Sequence, residues 1–537
     1  MSAPTRSPAR HGHRPHRHRP APARHGVPQV RGEETGRPGG RRASLRWPDR
    51  AAVLVLGLCA LLVGTWNLTG ATPYADDEGT YTAQAVSVLE GDLAPYTYQY
   101  DHPPLGWIQL GLLAWVPRLL GWGDGTPEGA ARFAVVPFFV ATVVLTYLVA
   151  RRLELTRPAA VLTGALVLAS PLAFTLGRQV YLDNIGLPWL LLAFLLALNR
   201  RKALWHHVGA GIFFALAVLS KETFAVAGPA LLAALLNQRA WSNRSFSVVG
   251  FVVVGGLVLA FYPLMALLAW ELLPGPEHVS LYEALVHQLV GREGSGSVWD
   301  SGSARAELVR GWLHYDAVLL VGGLVAGLAC ATRRRTAWLP VALAGFALPV
   351  LVSEGYLPAM FVVGSLPFLA LAVGAVVDRI GARMLSGRPG PGGARPRAAG
   401  LAGLCVVVLA LPAAQWAERH TDLLHRDANA DRAAAVRWVA AQVPEEDTLL
   451  VPYAAWVELA ERRRDGPWET IALEKADLDP EFREVHPRGW REVEWVVLGP
   501  DSRRTVDRLE LSTVLQALAH AEVAFTAGQW TVHRVQG

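Results

Sequence analysis

The sequence predicts a mostly α polytopic membrane protein with about 11 transmembrane helices and a small α/β domain at its C-terminus. Three observations predict it. First, 52% of the 537 residues are hydrophobic, 18% are charged, and the mean hydropathy is +0.26, outside the range of ordinary soluble domains. Second, the apolar residues gather in eleven runs: 51–68, 131–150, 158–176, 185–199, 207–220, 223–238, 247–270, 317–332, 337–353, 357–378 and 399–416. A spanning helix needs roughly 20 such residues, because in lipid only a helix satisfies its own backbone. Third, beyond residue 417 the pattern changes to short apolar strands alternating with amphipathic helices.

Residues 1–50 are rich in Arg, His, Pro and Gly and lack apolar periodicity, so they are expected to be a disordered tail. Twelve Arg residues precede the first span, a charge suited to anionic lipid headgroups; nucleic acid is not an expected partner. His11, His13, His16, His18 and His25 are better explained as low-complexity composition than as metal ligands. A cleavable signal is not expected, since the first apolar run has the length of a full span.

Eleven spans alternate the connecting segments between two sides. One side carries sixteen basic residues, among them Arg151, Arg152, Arg157, Arg200, Arg201, Lys202, Arg239, Arg333, Arg334, Arg335 and Arg388. The longer loops opposite carry seven: Arg118, Arg132, Arg178, Lys221, Arg292, Arg305 and Arg310. The basic side is cytoplasmic by the positive-inside rule. The N-terminus is then inside the plasma membrane, with the first loop (69–130) and the region 417–537 outside. Counting the apolar stretch 104–120 as a span would invert every later loop. It is expected instead as an interface helix, partnered by a helix over about 80–90.

In 417–537 we expect a helix over about 427–442, a strand at 448–452 and a helix over 454–463. A strand at 495–498, a helix over 504–520 and two strands within 522–534 follow. Cys59, Cys330 and Cys405 all fall inside apolar runs, so no disulfide framework is implied.

Several groups are positioned to carry chemistry. Asp76-Asp77-Glu78 follows the first span, and a carboxylate within reach of an acceptor hydroxyl is a general base. An acidic helix cap would have the same sequence. Asp101-His102 precedes Pro103-Pro104, which fix the backbone and open a helix. Asp101, with Asp77 or Asp183, is a candidate oxygen ligand for a divalent metal cation. Arg178 and Asp183 occupy the tight outer turn between the third and fourth spans, and an Arg fork suits a phosphate. Lys221-Glu222 interrupts an apolar forty-residue stretch, where ionisable groups are expensive. The loop 271–316, Gly- and Ser-rich around Arg292, has the composition of a lid.

This order of features resembles the GT-C membrane glycosyltransferases, in the branch of protein O-mannosyltransferases and lipid A aminoarabinose transferases. The motifs are Asp77-Glu78, Tyr81 one turn on, Gly91-Asp92, His102-Pro103-Pro104-Leu105, the Arg178–Asp183 turn and Lys221 in a short hairpin. The likeness is strongest over about 70–240, and the tail domain is similar to outer domains of actinobacterial members. The resemblance implies transfer of a sugar from a polyprenyl-phosphate donor to an acceptor hydroxyl, with inversion and with Asp77 as base. Glu78 and Asp183 would assist in catalysis. Tyr81, His102, Arg178, Lys221, Arg292 and Tyr356 would bind the lipid phosphate and sugar. The acceptor would be a wall polysaccharide, a glycolipid or an exported protein. Two features depart from the pattern: Glu354-Gly355-Tyr356 stands where members pair a basic residue with Tyr, and Asp101-His102 replaces Glu-Lys.

Two other classes share part of this profile. A polyprenyl-lipid transporter would account for many spans and an intramembrane Lys221, but the internal repeats and mid-helix breaks that often mark transporters are not convincing here. A non-catalytic envelope-assembly scaffold would use the C-terminal domain for partners.

Overall fold

The computed structural model describes residues 47–536 except 200–202, 237–243, 277, 385–393 and 465. The basic tail up to Arg46, with its histidines, lies outside the described residues, as do Arg200, Arg201, Lys202, Arg239 and Arg388. Residues 47–50, expected within the disordered tail, are instead the first turn of a helix.

The membrane region runs α1 (Trp47–Thr65), α2 (Asp76–Glu90), α3 (Leu105–Leu119), α4 (Pro127–Arg152), α5 (Arg157–Ala169), α6 (Pro171–Leu176), α7 (Leu182–Ala197) and α8 (Leu204–Ser220). A 3₁₀ turn (Glu222–Ala227) leads to α9 (Gly228–Leu236), then α10 (Arg244–Leu259), α11 (Phe261–Leu268) and α12 (Leu281–Val286). It continues with α13 (Ala304–Cys330), α14 (Trp338–Val352), α15 (Leu366–Met384), α16 (Ala394–Ala410) and α17 (Ala413–His425).

Among the described residues, five helical segments are long and apolar enough to cross a membrane: Trp47–Thr65, Pro127–Arg152, Phe246–Leu268, Ala304–Cys330 and Ala359–Met384. A sixth is reached by counting a pair bent by 55° after Ala410. Five other expected spans are short apolar helices of 10–17 residues. The expected continuous span 158–176 is broken at Ser170-Pro171. Proline there has no N–H to continue the ladder, and the Ser170 hydroxyl caps α6 by accepting from Ala173 N at 3.3 Å. Segment Ala359–Met384 is central, with 89% of its apolar window buried, whereas Trp47–Thr65 is peripheral at 22%. Its outward Leu54, Leu58, Leu61 and Leu62 suit a lipid solvent.

Ionic contacts stitch the helix ends. Asp49 accepts from Tyr147 at 2.9 Å, Arg151 at 3.0 Å and Arg157 at 3.0 Å, joining α1, α4 and α5. Helices α2 and α3 pack closely: a Cβ at Gly111 would lie 2.6 Å from the Ala85 carbonyl.

The C-terminal domain begins with α18 (Ala430–Gln442) and holds a five-stranded sheet: β1 (Leu449–Val451), β2 (Thr470–Ala472), β3 (Trp495–Leu498), β4 (Ala521–Ala527) and β5 (Trp530–Val535). The order is β2-β1-β3-β5-β4, with β2, β1 and β3 parallel and β5 and β4 antiparallel. Helix α19 (Tyr453–Arg463) follows β1. The helix expected over 504–520 is two, Ser502–Arg508 and Ser512–Ala519, parted near Glu510, whose φ is +50°. Strand β2 was not expected from the sequence.

Candidate active site

The first turn of α2 carries three adjacent carboxylates, where the helix dipole favours them. Helical rotation sends them in different directions. Glu78 points inward and is fully buried. Its carboxylate accepts from Arg132 Nε at 2.9 Å and Nη2 at 2.6 Å, Gln179 Nε2 at 3.0 Å and Val180 N at 2.8 Å. Arg132 also donates to the carbonyls of Leu68, Thr72 and Pro73, so this pair sets the path of the loop entering α2. Asp76 turns to the C-terminal domain and accepts from Ala454 N at 3.0 Å. Asp77 is exposed and, among the described residues, makes no hydrogen bond or ion pair.

Opposite this turn, the backbone breaks at Lys221, which is extended (φ −157°, ψ 114°) between α8 and the 3₁₀ turn. The Lys221 ammonium, only 3% exposed, lies 2.8 Å from His102 Nε2, and His102 Nδ1 lies 3.0 Å from Glu222 Oε2. Pro103-Pro104 start α3 and hold His102 in place. The Tyr81 ring is 6.1 Å from the His102 ring. Burial, reinforced by the charges of Asp77, Asp183 and Glu222, holds the Tyr81 phenol well above its usual range, so it remains a proton donor. Asp183 is 2% exposed, faces the charges of Lys221, Glu222 and His102, and its Oδ2 has no hydrogen-bond partner.

Arg292 completes the group. Its guanidinium stacks 3.5 Å from the centroid of Tyr356 and donates to Gln288 at 3.1 Å. Burial, then the charge of Asp77, raises the Tyr356 phenol. The Arg292 loop is fastened to the segment on both sides of Tyr356: Arg305 donates to the carbonyls of Gly296, Pro349 and Gly355, and Leu357 N donates to Ser295 Oγ at 2.9 Å.

The structure thus gathers Asp77, Tyr81, His102, Asp183, Lys221, Arg292 and Tyr356. It places two expected site residues differently. Glu78 is saturated by donors, as above. Arg178, 2% exposed, points away from any phosphate position: it donates to Phe174 O at 2.7 Å, Val63 O at 3.1 Å and Trp66 O at 2.6 Å. Carbonyls of α6 and of the end of α1 are its partners. Asp101 is exposed, and among the described residues no three His, Cys, Asp or Glu side chains come together as metal ligands.

Three participants were not singled out in the sequence. Arg132 was visible as a charge at the start of a span. Glu222 was noticed only as the neighbour of Lys221. Glu474, from the loop after β2, carries a carboxyl pushed up to about 7 by burial and by Asp76 and Asp77; its proximity had no sequence signal.

Residues 101–270 match the sequence profile of the family described as dolichyl-phosphate-mannose-protein mannosyltransferase. The fold is similar to that of ArnT from Cupriavidus metallidurans in the apo state, with TM-score 0.60 and 16% identity over 91% of this chain and 98% of that one. The same protein bound to undecaprenyl phosphate aligns with TM-score 0.58 and 16% identity, over 90% and 98%. The archaeal oligosaccharyltransferase AglB from Archaeoglobus fulgidus, in complex with an inhibitory peptide and a dolichol-phosphate, aligns with TM-score 0.50 and 12% identity, over 85% and 70%. No curated protein matches the chain. The likeness over nearly the whole of both chains shows that this chain has the multi-helix fold of ArnT, and the family match falls within that fold, at residues 101–270.

Proposed function

We propose that the chain transfers a sugar from a polyprenyl-phosphate donor to an acceptor hydroxyl at the outer face of the plasma membrane, inverting the anomeric carbon. One observation carries this reading: of three acids in the first turn of α2, Asp77 alone is exposed and unpaired among the described residues, in a group that includes Lys221, His102 and Arg292. A base near the cations Lys221 and Arg292 suits a reaction in which a hydroxyl loses a proton and a phosphate leaves. Asp77 accepts the acceptor's proton as its oxygen bonds to the anomeric carbon. The bond from that carbon to the phosphate oxygen breaks, and the electron pair leaves on the lipid phosphate. Lys221 and Arg292 offset the charge that develops there. His102, whose Nε2 accepts from Lys221 and whose Nδ1 donates to Glu222, holds the ammonium in place and offers its ring to the lipid phosphate and sugar. Tyr81 and Tyr356 donate hydrogen bonds, and Asp183 orients a sugar hydroxyl with its unpartnered oxygen. The undecaprenyl phosphate and dolichol-phosphate held by the similar structures support this donor class. The acceptor classes are wall polysaccharide, glycolipid and exported protein.

The proposal keeps eleven crossings, the five long segments, the five short apolar helices and the bent pair, in a domain over 51–416, with 417–537 outside. A membrane-impermeant maleimide should label a cysteine placed at exposed Asp507 in intact cells. Labelling only after lysis would reverse the orientation.

The decisive test offers labelled polyprenyl-phosphate sugars to membranes carrying wild type or Asp77→Asn. Turnover should fall about 10²- to 10⁴-fold, with donor binding retained. Equal turnover by both proteins would remove Asp77 from the role of base.

A further inference from the structure

We infer that the cavity of about 790 Å³ between the C-terminal domain, the loop entering α2, α6 and the first half of α13 is the acceptor site, and that its acceptor is a neutral carbohydrate. The inference rests on the transferase reading above and adds the acceptor class to it. Asp76 and Tyr356 line the cavity, whereas Asp77, His102, Lys221 and Arg292 do not. It therefore adjoins the proposed base through Asp76 and meets the Arg292 stack through Tyr356, while Lys221 and His102 lie outside its lining.

Its walls match the chemistry of a sugar. Tyr181, Tyr315 and Tyr356 line it, and their hydroxyls make no hydrogen bond within the described chain, yet none is sealed from solvent. Trp312 and Trp530 add two more aromatic surfaces. A sugar presents C–H faces that pack on rings and hydroxyls that need polar partners; tyrosine supplies both from one side chain.

The charges argue against a phosphate-bearing ligand. Asp76, Glu307 and Asp501 line the cavity with Arg504 and Arg508, and Arg504 is already paired with Asp501. Three carboxylates against two guanidiniums leave an excess of negative charge. Arg508 pairs with no carboxylate among the described residues, which leaves its planar fork for sugar hydroxyls. A polypeptide acceptor is disfavoured by topology. The domain offers the turns after parallel strands β1 and β3, at Pro452 and Gly499–Ser502, where open α/β sheets bind small ligands. No residue of the edge strands β2 or β4, which could pair with an extended peptide, lines the cavity.

The test uses the full chain in nanodiscs, with tryptophan fluorescence reporting binding of mannotriose, arabinotriose and a Ser/Thr-rich peptide. Undecaprenyl phosphate binding is measured in parallel. Tyr315→Phe keeps the ring and removes only the hydroxyl; Arg508→Ala changes an exposed position. We expect one trisaccharide to bind, weakened about fivefold to tenfold by each variant, with undecaprenyl phosphate unaffected. Binding of the peptide alone, of neither trisaccharide, or of a trisaccharide equally by all three proteins would overturn the inference. So would weakened undecaprenyl phosphate binding in the variants, which would put the donor in this cavity. If the trisaccharide result holds but undecaprenyl phosphate never binds, the donor reading falls and the carbohydrate site stands.

Discussion

At the scale of single residues, Asp76, Asp77 and Glu78 are chemically near-identical, and position on a helical turn decides what each does. Glu78 neutralises Arg132 where both side chains are fully buried. Glu78→Gln preserves the shape but leaves the guanidinium buried without its counter-charge, which typically costs about 3–5 kcal/mol. Thermal unfolding in detergent should show a large loss for Glu78→Gln and almost none for Asp77→Asn, since exposed substitutions usually stay within about 0.5 kcal/mol. A Glu78→Gln protein as stable as wild type would mean that the pair does not hold the loop. The sequence exposed the acids as a cluster but not their division of labour. Arg132 is 54 positions from Glu78, and Ala454 is 378 positions from Asp76. Arg178 misled for the same reason: its type suits phosphate, while two of its three carbonyl partners lie at the end of α1, 112 and 115 positions away.

At the scale of elements, apolar runs located the helices well but not their breaks. Hydropathy averages over a window and does not register one residue leaving helical geometry. Asp316 illustrates this: with φ −151° and ψ 68° it kinks α13, and its carboxylate accepts from Leu319 N at 2.9 Å and Trp416 Nε1 at 3.1 Å, restarting the helix and tying it to α17. Strand β2 escaped notice because three residues are too few to establish a period. The loop over 292–303 has a similar hidden fastening, since Arg305 serves carbonyls from both the loop and the 349–355 turn. Arg305→Lys keeps the charge but cannot reach them together, and each lost hydrogen bond costs about 0.5–1.5 kcal/mol. Hydrogen exchange should rise across 292–303 and turnover should fall, because Arg292 no longer holds its stack on Tyr356. Unchanged exchange in that loop would show that the fastening lies elsewhere.

At the scale of the whole molecule, the C-terminal domain completes the catalytic helix's surroundings, and its docking is built partly from acids. Arg432 bridges Glu458 at 2.8 Å and Glu128 at 3.3 Å, and Asn429 bonds Tyr74 N at 2.9 Å. A Cβ at Gly79 would lie 2.0 Å from the Tyr453 carbonyl, so α2 meets α19 at backbone contact. Beside this contact Asp76 is raised to about 6, chiefly by burial and also by Asp77 and Asp501, while the Ala454 N–H opposes the shift. Glu474 is raised to about 7 by burial, Asp76 and Asp77, with Lys475 and Arg508 opposing. Both groups titrate above their ordinary values of 3.8 and 4.5, so between roughly pH 4 and 7 the folded protein holds more protons than the unfolded chain. Their contribution to stability is fully present below their unfolded pKa values and is lost as pH rises through 6 and then 7. Thermal stability in detergent should therefore decline from pH 5 to pH 8, and Asp76→Asn should flatten the lower half of that decline. Stability that instead climbs across this range in wild type would show that the docked domain leaves these carboxyls in ordinary contact with water.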